Sequence, residues 1–206
     1  MSQNGDLNVN QTVNFSTGQV PGILNRLEQF LGIPLSLRSI TGETVVKTDY
    51  FYGPCSIVRG TESGRLRCRR TYHSIEDKLL RRKVPFVSFC YAGFLIFSVP
   101  LNFRGEMIGT LLGSQILPQV MPHRIDLEPH FGGTCQAVQI KNSEAFYASF
   151  NKVRYLDPDF PRVSFLEFLE KIGEHFTEMA FSEKSWARFH HDIHQQFPLL
   201  EKFRAV

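Results

Sequence analysis

The sequence predicts an α+β domain: an antiparallel sheet with helices on one side and a long helix towards the C-terminal end. Three observations lead there. Apolar residues recur at spacings of three and four near residues 21–31, 63–82 and 163–179. Between these segments, short apolar runs are joined by glycine-bearing connectors, as in antiparallel hairpins. The elements come in the order helix, hairpin, helix, hairpin-rich sheet, helices, with no internal repeat.

Residues 1–19 are polar and rich in Asn and Gln, which suits an arm or a peripheral strand. Pro21 then opens a helix whose Ile23, Leu24, Leu27, Phe30 and Leu31 share one face, and Gly32 and Pro34 end it. Ile33, Leu35 and Leu37 alternate with polar or ring residues, Gly42 lies in a turn, and Thr44 to Lys47 return as the second strand of a hairpin. An aromatic loop, Tyr50-Phe51-Tyr52-Gly53-Pro54-Cys55, has neither helical nor strand period. From Ser63, a plausible N-cap, to about Arg82 the spacing of Cys68, Tyr72, Ile75 and Leu79 predicts a helix with these four side chains inward.

Pro85 precedes a strand, Phe86 to Tyr91, whose alternation sends Ser88 and Cys90 to one side and Val87, Phe89 and Tyr91 to the other. Ala92-Gly93 bends it into the central hairpin. The runs Phe94 to Leu101 and Met107 to Leu112 form that hairpin, with Gly105 in the connector where a positive φ is useful. Pro118 to Thr134 reads as loop. Asn142 or Ser143 caps a helix containing Phe146, Tyr147, Phe150 and Val153. After the turn Asp157 to Pro161, residues Phe165, Leu169, Ile172, Phe176 and Met179 follow a period suited to a two-helix seam. The same period continues through Trp186 and His190 to Phe197, and Pro198 ends it. Sensor domains of the PAS and GAF type share this set of elements.

Composition narrows the function classes. The apolar fraction of 42% is that of a folded domain, and 19 Phe, 6 Tyr and 1 Trp are enough to wall a core and a pocket. A net charge of +3 gives no reason to propose nucleic acid. Arg65, Arg67, Arg69, Arg70, Lys78, Arg81 and Arg82 crowd one helix, and a solvated basic face accounts for them. Direct nucleic-acid binding is not expected, and it would require a steep salt dependence. No run reaches the roughly 18 apolar residues of a membrane span, and the N-terminus lacks a secretory pattern. A cytoplasmic location with reduced cysteines is therefore expected.

The binding candidates are Tyr50, Phe51 and Tyr52 in the aromatic loop, Cys55 after it, Ser88, Cys90 and Tyr91 on the strand, and Ser98, Thr110, Ser114 and Gln115 on the hairpin. Together they offer hydroxyls, thiols and an amide beside apolar walls, which suits a small neutral ligand. The competing reading of the aromatics is plain core. No catalytic residues are expected, because His73, His123, His130 and His175 are tied to no cysteine by any pattern, and Glu174-His175 lacks the H-E-x-x-H arrangement. His190 and His194 are four apart but have no third partner, so a surface helix accounts for them.

An ordered set of segments resembles the PocR-type sensory domain: LGIPLSL, TGETVV, GPCSIVR, the Cys68 helix, PFVSFCYAGFLIFSVPL, RGEMIGTLLGSQIL and FNKVRYLDPDFPRVSFLEFLEKI. The likeness runs over roughly residues 20 to 180, and the C-x-A-G-hydrophobic segment at Cys90 is its sharpest part. The family often has His after that cysteine, where this chain has Tyr91. The resemblance implies a PAS-like sensor of small organic molecules, simple hydrocarbon derivatives such as diols. It also implies signalling to a histidine kinase or a DNA-binding output protein, here as a partner, with a homodimer expected. Cys55, Cys68 and Cys90 occupy the family's cysteine positions, on a loop, a helix and a strand. They are read as structural thiols or, alternatively, as ligands of zinc or an iron–sulfur cluster or as redox groups, although no C-x-x-C pair is present. The expected organisation is an arm at 1–19, a sensor domain at 20–182 and a helical extension at 183–206.

Overall fold

A computed structural model describes residues 19–47, 53–119, 121, 123–155 and 161–181. Helix α1, Val20–Leu31, starts with proline in its first turn and ends where Gly32 turns left-handed and returns its N–H to the Glu28 carbonyl. Strands β1, Leu35–Ser39, and β2, Thr44–Lys47, form the expected first hairpin.

The aromatic loop is shorter than expected, because Gly53 already begins helix α2, Gly53–Gly60. Pro54, with its fixed φ, suits the first turn of a helix. Gly53 lies against Ser149, where a Cβ would collide. Cys55 is thus on a helix, and Tyr50, Phe51 and Tyr52 lie outside the described residues.

Helix α3, Glu62–Arg82, begins one residue before the expected cap. Thr61 is the N-cap: its backbone is extended and its hydroxyl accepts the Gly64 N–H at 3.0 Å, a bond Ser63 cannot make from inside the first turn.

Strand β3, Phe86–Phe89, stops two residues early. The Cys90 N–H bonds the Phe94 carbonyl and the Gly93 N–H bonds the Cys90 carbonyl, closing a tight turn. Strand alternation therefore no longer governs Tyr91, which packs in the same apolar cluster as Cys90.

Strands β4, Leu95–Phe103, and β5, Glu106–Leu117, are longer than expected. Their hairpin closes through Arg104 and Gly105, both with positive φ, the two-residue turn that matches strand twist. The stretch read as loop contains helix α4, Arg124–Ala137, entered through a bond from the His123 N–H to the Asp126 carboxylate at 3.1 Å. Pro129 inside it and the Gly132-Gly133 pair are helix-unfavourable residues, yet Leu127, Phe131 and Cys135 line up at spacings of four and are buried. Helix α5, Ser143–Ala148, is capped by Asn142, followed by a 3-10 turn at Ser149–Lys152, the short strand β6, Arg154–Tyr155, and helix α6, Arg162–Phe181.

The sheet order is β2-β1-β5-β4-β3, all antiparallel, with β6 added parallel to β5. Helices cover both faces of the sheet, not one. Leu95, Phe97, Val99 and Leu101 of β4 join α1 and α6 in the largest cluster. Phe165, Leu169, Ile172 and Phe176 thus seal a sheet face instead of a two-helix seam, because a flat apolar surface accepts the same stripe. Met179 packs at the edge of that cluster, and the continuation through Trp186, His190 and Phe197 lies outside the described residues.

Ile96 of β4 instead packs with Ile75, Leu79, Met107 and Leu112 beneath α3. A third cluster, built from α2, the turn after β3, α4, α5 and the 3-10 turn, sits beyond the end of the sheet. Its Phe94, Phe131, Phe146 and Phe150 pack ring against ring at 4.8–6.4 Å.

Candidate functional site

The second and third clusters do not meet flush. Between them lies a cavity of about 30 Å³. A single water needs roughly 10–15 Å³ measured this way, so about two waters fit. Five parts of the chain line it: Cys55, Val58 and Arg59 from α2, Cys68, Thr71 and Tyr72 from α3, the turn from Cys90 to Phe94, Ile96 of β4, and Ser114 and Gln115 of β5.

Each part is there for a local reason. Cys68 and Tyr72 are four apart on α3 and so share its inner face. Cys90 and Tyr91 both reach the cavity because the turn after Phe89 resets their directions. On β5 the ladder slips: Leu95 pairs with Ile116 but Phe97 with Gly113, so Ser114 and Gln115 together oppose Ile96. This is a β-bulge, and Gln115 sits in it at a φ of 65°, a conformation side chains other than glycine rarely adopt.

Tyr72 and Ser114 both stand in the wall, and the Thr71 hydroxyl bonds the Arg67 carbonyl of its own helix. Cys68 Sγ lies 4.0 Å from the Tyr91 hydroxyl, and the Arg67 guanidinium covers the Tyr91 ring at 5.9 Å from its centre. Gln115 is 3% exposed, and neither Nε2 nor Oε1 has a hydrogen-bond partner among the described residues.

All three thiols of the wall are held neutral. Burial raises Cys55 well above the usual thiol range, the Cys90 and Cys68 thiols push it further, and Arg59 opposes. Burial also raises Cys68, against its bond to Tyr91, and lifts Cys90 to about 11 against bonds from the backbone of its turn. Tyr72 and Tyr91 are likewise pushed up by burial. The cavity is therefore a thiol- and aromatic-walled space with no acidic group in its lining and one guanidinium, Arg59, at its side.

Of the residues expected from sequence, Cys55, Cys90, Tyr91, Ser114 and Gln115 come together here, and Cys68 joins them. Ser98 and Thr110 do not line the cavity; both are fully buried in the sheet with hydroxyls lacking partners among the described residues. Ser88 faces a separate open groove of about 390 Å³ beside Arg67, Arg70 and Lys78, and Cys90 and Tyr91 form a wall common to groove and cavity. The sequence reading left out Arg59, Val58, Thr71 and Ala92. Tyr72 was legible in the i, i+4 relation to Cys68, but α2 was not.

Elsewhere, the basic residues of α3 are exposed, as a solvated face requires, with Arg82 resting on the Phe86 ring. Below them Glu76 forms a buried ion pair with Arg38 of β1. The same guanidinium also bonds the Thr44 hydroxyl at 2.8 Å and the Gly42 carbonyl, fastening the first hairpin to α3. Among the described residues no three His, Cys, Asp or Glu side chains are placed to hold a metal ion, and no helix is long and apolar enough to cross a membrane.

Comparison with curated proteins finds no match. A family model described as the sensory domain found in PocR matches residues 15–181, a span that contains every wall of the cavity. With so much of its length matched, and with the segments that match building the cavity, the chain belongs to the family of sensory domains found in PocR.

Proposed function

We propose that this domain senses a small uncharged organic molecule, of the size of a diol or another simple hydrocarbon derivative, in the cavity between α2, α3 and the β5 bulge. The observation that carries the reading is the convergence of separate chain segments on one small thiol- and aromatic-walled space that no acidic side chain lines. Of the expected ligand contacts, Cys55, Cys90, Tyr91 and Gln115 are wall residues. Tyr50 and Tyr52 immediately precede α2 in sequence, while Ser88 lines the neighbouring groove and Ser98 is buried in the sheet, so neither serine lines the cavity.

The mechanism is a population shift. A diol has more atoms than the space for about two waters accepts, so binding favours a form in which a wall has moved and the space is wider. Helix α2 is the wall suited to this, being only eight residues long. It also rests on the 3-10 turn through Gly53 and Ser149, and that turn leads through β6 to α6. Displacement of α2 is thereby passed to α6, which would present the signal to a second copy or to a kinase or DNA-binding partner. No catalytic step is part of this reading.

Thermal-shift titration with short diols, polyols, amides and ketones tests it. A ligand at a hundred times its Kd adds about 2.7 kcal/mol, which for a domain of this size raises Tm by about 5–10 °C. No shift with any compound, together with a Cys90→Ser variant indistinguishable from wild type across the panel, would overturn the proposal.

A second reading draws on the three thiols that share the cavity: a redox sensor built on Cys55, Cys68 and Cys90, or a zinc or iron–sulfur sensor in a form that draws them closer than here, where no three described side chains are placed to hold a metal ion. Elemental analysis and absorbance near 400 nm of protein purified without oxygen test it. Metal-free, colourless protein removes the metal form of this reading.

A further inference from the structure

We infer that Gln115 is the specificity-determining residue of the cavity and that it selects ligands carrying a primary carboxamide edge, a hydrogen-bond donor and an acceptor side by side. The inference rests on the cavity being the sensing site and names the chemistry that site prefers.

Two independent features single out Gln115. Its backbone is held at a φ of 65° in the bulge, where glycine would be unstrained. Strained non-glycine residues persist where the surrounding structure over-determines them, and bulges of this kind re-aim a side chain next to functional sites. Second, the amide is buried with both of its polar atoms unmatched. A buried amide left without partners is costly, so the state in which it is matched has a reason to be populated.

The neighbours sharpen the chemistry. Cys68 is matched to Tyr91, whereas the amide of Gln115, closed to water in this form, is the buried donor–acceptor pair that a moved wall would open to a ligand. Ser88, Ser98 and Thr110 also have unmatched hydroxyls, but none of them lines the cavity. A glutamine amide donates from Nε2 and accepts at Oε1. A carboxylate or a ketone can only accept, which leaves Oε1 unmet or facing negative charge. An ammonium can only donate. A planar carboxamide meets both atoms at once in the plane of the glutamine amide. A vicinal diol can also meet both, but it must freeze two hydroxyl rotors to do so.

The test is calorimetric or thermal-shift titration of the wild-type chain, Gln115→Met and Gln115→Gly with propionamide, propionate, propane-1,2-diol and butanone. Gln115→Met keeps the length and removes both polar atoms, and Gln115→Gly removes the side chain while suiting the positive φ, so at least one variant is expected to fold. Wild-type protein is expected to bind propionamide at least tenfold more tightly than propionate or butanone, and more tightly than the diol. Both variants are expected to lose at least tenfold for propionamide while their affinity for butanone stays the same or rises. If the diol or butanone binds wild type better than propionamide, or if the variants bind propionamide as wild type does, the role of Gln115 is overturned and the cavity stands as the sensing site. If no compound binds wild-type protein, both ideas fall.

Discussion

The two faces of the sheet are built on different principles. Against α1 and α6 the sheet presents Leu95, Phe97, Val99 and Leu101, all essentially inaccessible, and the helices answer with Leu24, Phe165, Leu169 and Phe176. The face beneath α3 carries a buried ion pair, buried serine and threonine hydroxyls and, at its end, a strained glutamine beside a cavity. Both sides bury polar groups, Glu28, His175 and Thr177 on α1 and α6 included, but the cavity lies on the α3 side alone of the two. On the proposed function, the division separates the part that stays fixed from the part that a ligand displaces.

Removing weight from the first face is expected to have the largest effect. Phe97 is fully buried and its ring meets Phe165 edge-on at 4.7 Å, so Phe97→Ala should cost about 3–5 kcal/mol in urea unfolding. A cost below about 1 kcal/mol would break the division, since that face would then be as loose as the other. Next comes the anchor of α3. Glu76→Ala leaves Arg38 buried without its carboxylate and should cost about 3 kcal/mol, with the Thr44 and Gly42 bonds retained.

The cavity thiols give a smaller effect, read through pH. Cys90 holds its proton to about 11 in the folded chain, against a usual value of 9.0. As pH rises past about 9 the unfolded chain loses this proton first, so stability falls through that window and levels off above about 11. The two-unit difference corresponds to about 2–3 kcal/mol. Cys90→Ala should make the decline in urea midpoint between pH 8.5 and 11 visibly shallower, without abolishing it, because Cys55 and Cys68 are raised as well. An unchanged slope would mean that the thiol is not closed off from solvent. Smallest, and opposite in sign, is Gln115→Gly. It removes a buried side chain, yet it relieves the positive φ and the unmatched amide, so stability should stay within about 1 kcal/mol of wild type or rise.

The same division governs how much was legible in the sequence. The first face could be read because α1 and α6 bury one stripe each, and a stripe leaves a period: Ile23, Leu24, Leu27 and Leu31 in α1, Phe165, Leu169, Ile172 and Phe176 in α6. What periodicity could not say is what lies opposite, so the α6 stripe read as a helix seam when a sheet face meets it. The other face was read in part. The Cys68 helix and the hairpin followed from spacing and from Gly105, but α4 was hidden by Pro129 and the glycine pair, and α2 by its brevity. The bulge at Gln115 left no trace, because positive φ is signalled by glycine and here the position holds glutamine. The alternation that set Tyr91 apart from Cys90 failed where backbone bonds close a turn, and such bonds depend on partners that the strand itself does not contain.

The measurement that bears most directly on the cavity as a sensing site is a thermal-shift comparison of wild-type protein and Ala92→Val across the same panel of small uncharged compounds. Ala92 is buried and lines the cavity, so valine takes up the space for about one of its waters without touching the first face. The prediction is an unliganded Tm equal to or above wild type and a ligand-induced shift reduced by at least half. A full shift in Ala92→Val would place the ligand elsewhere and contradict the account.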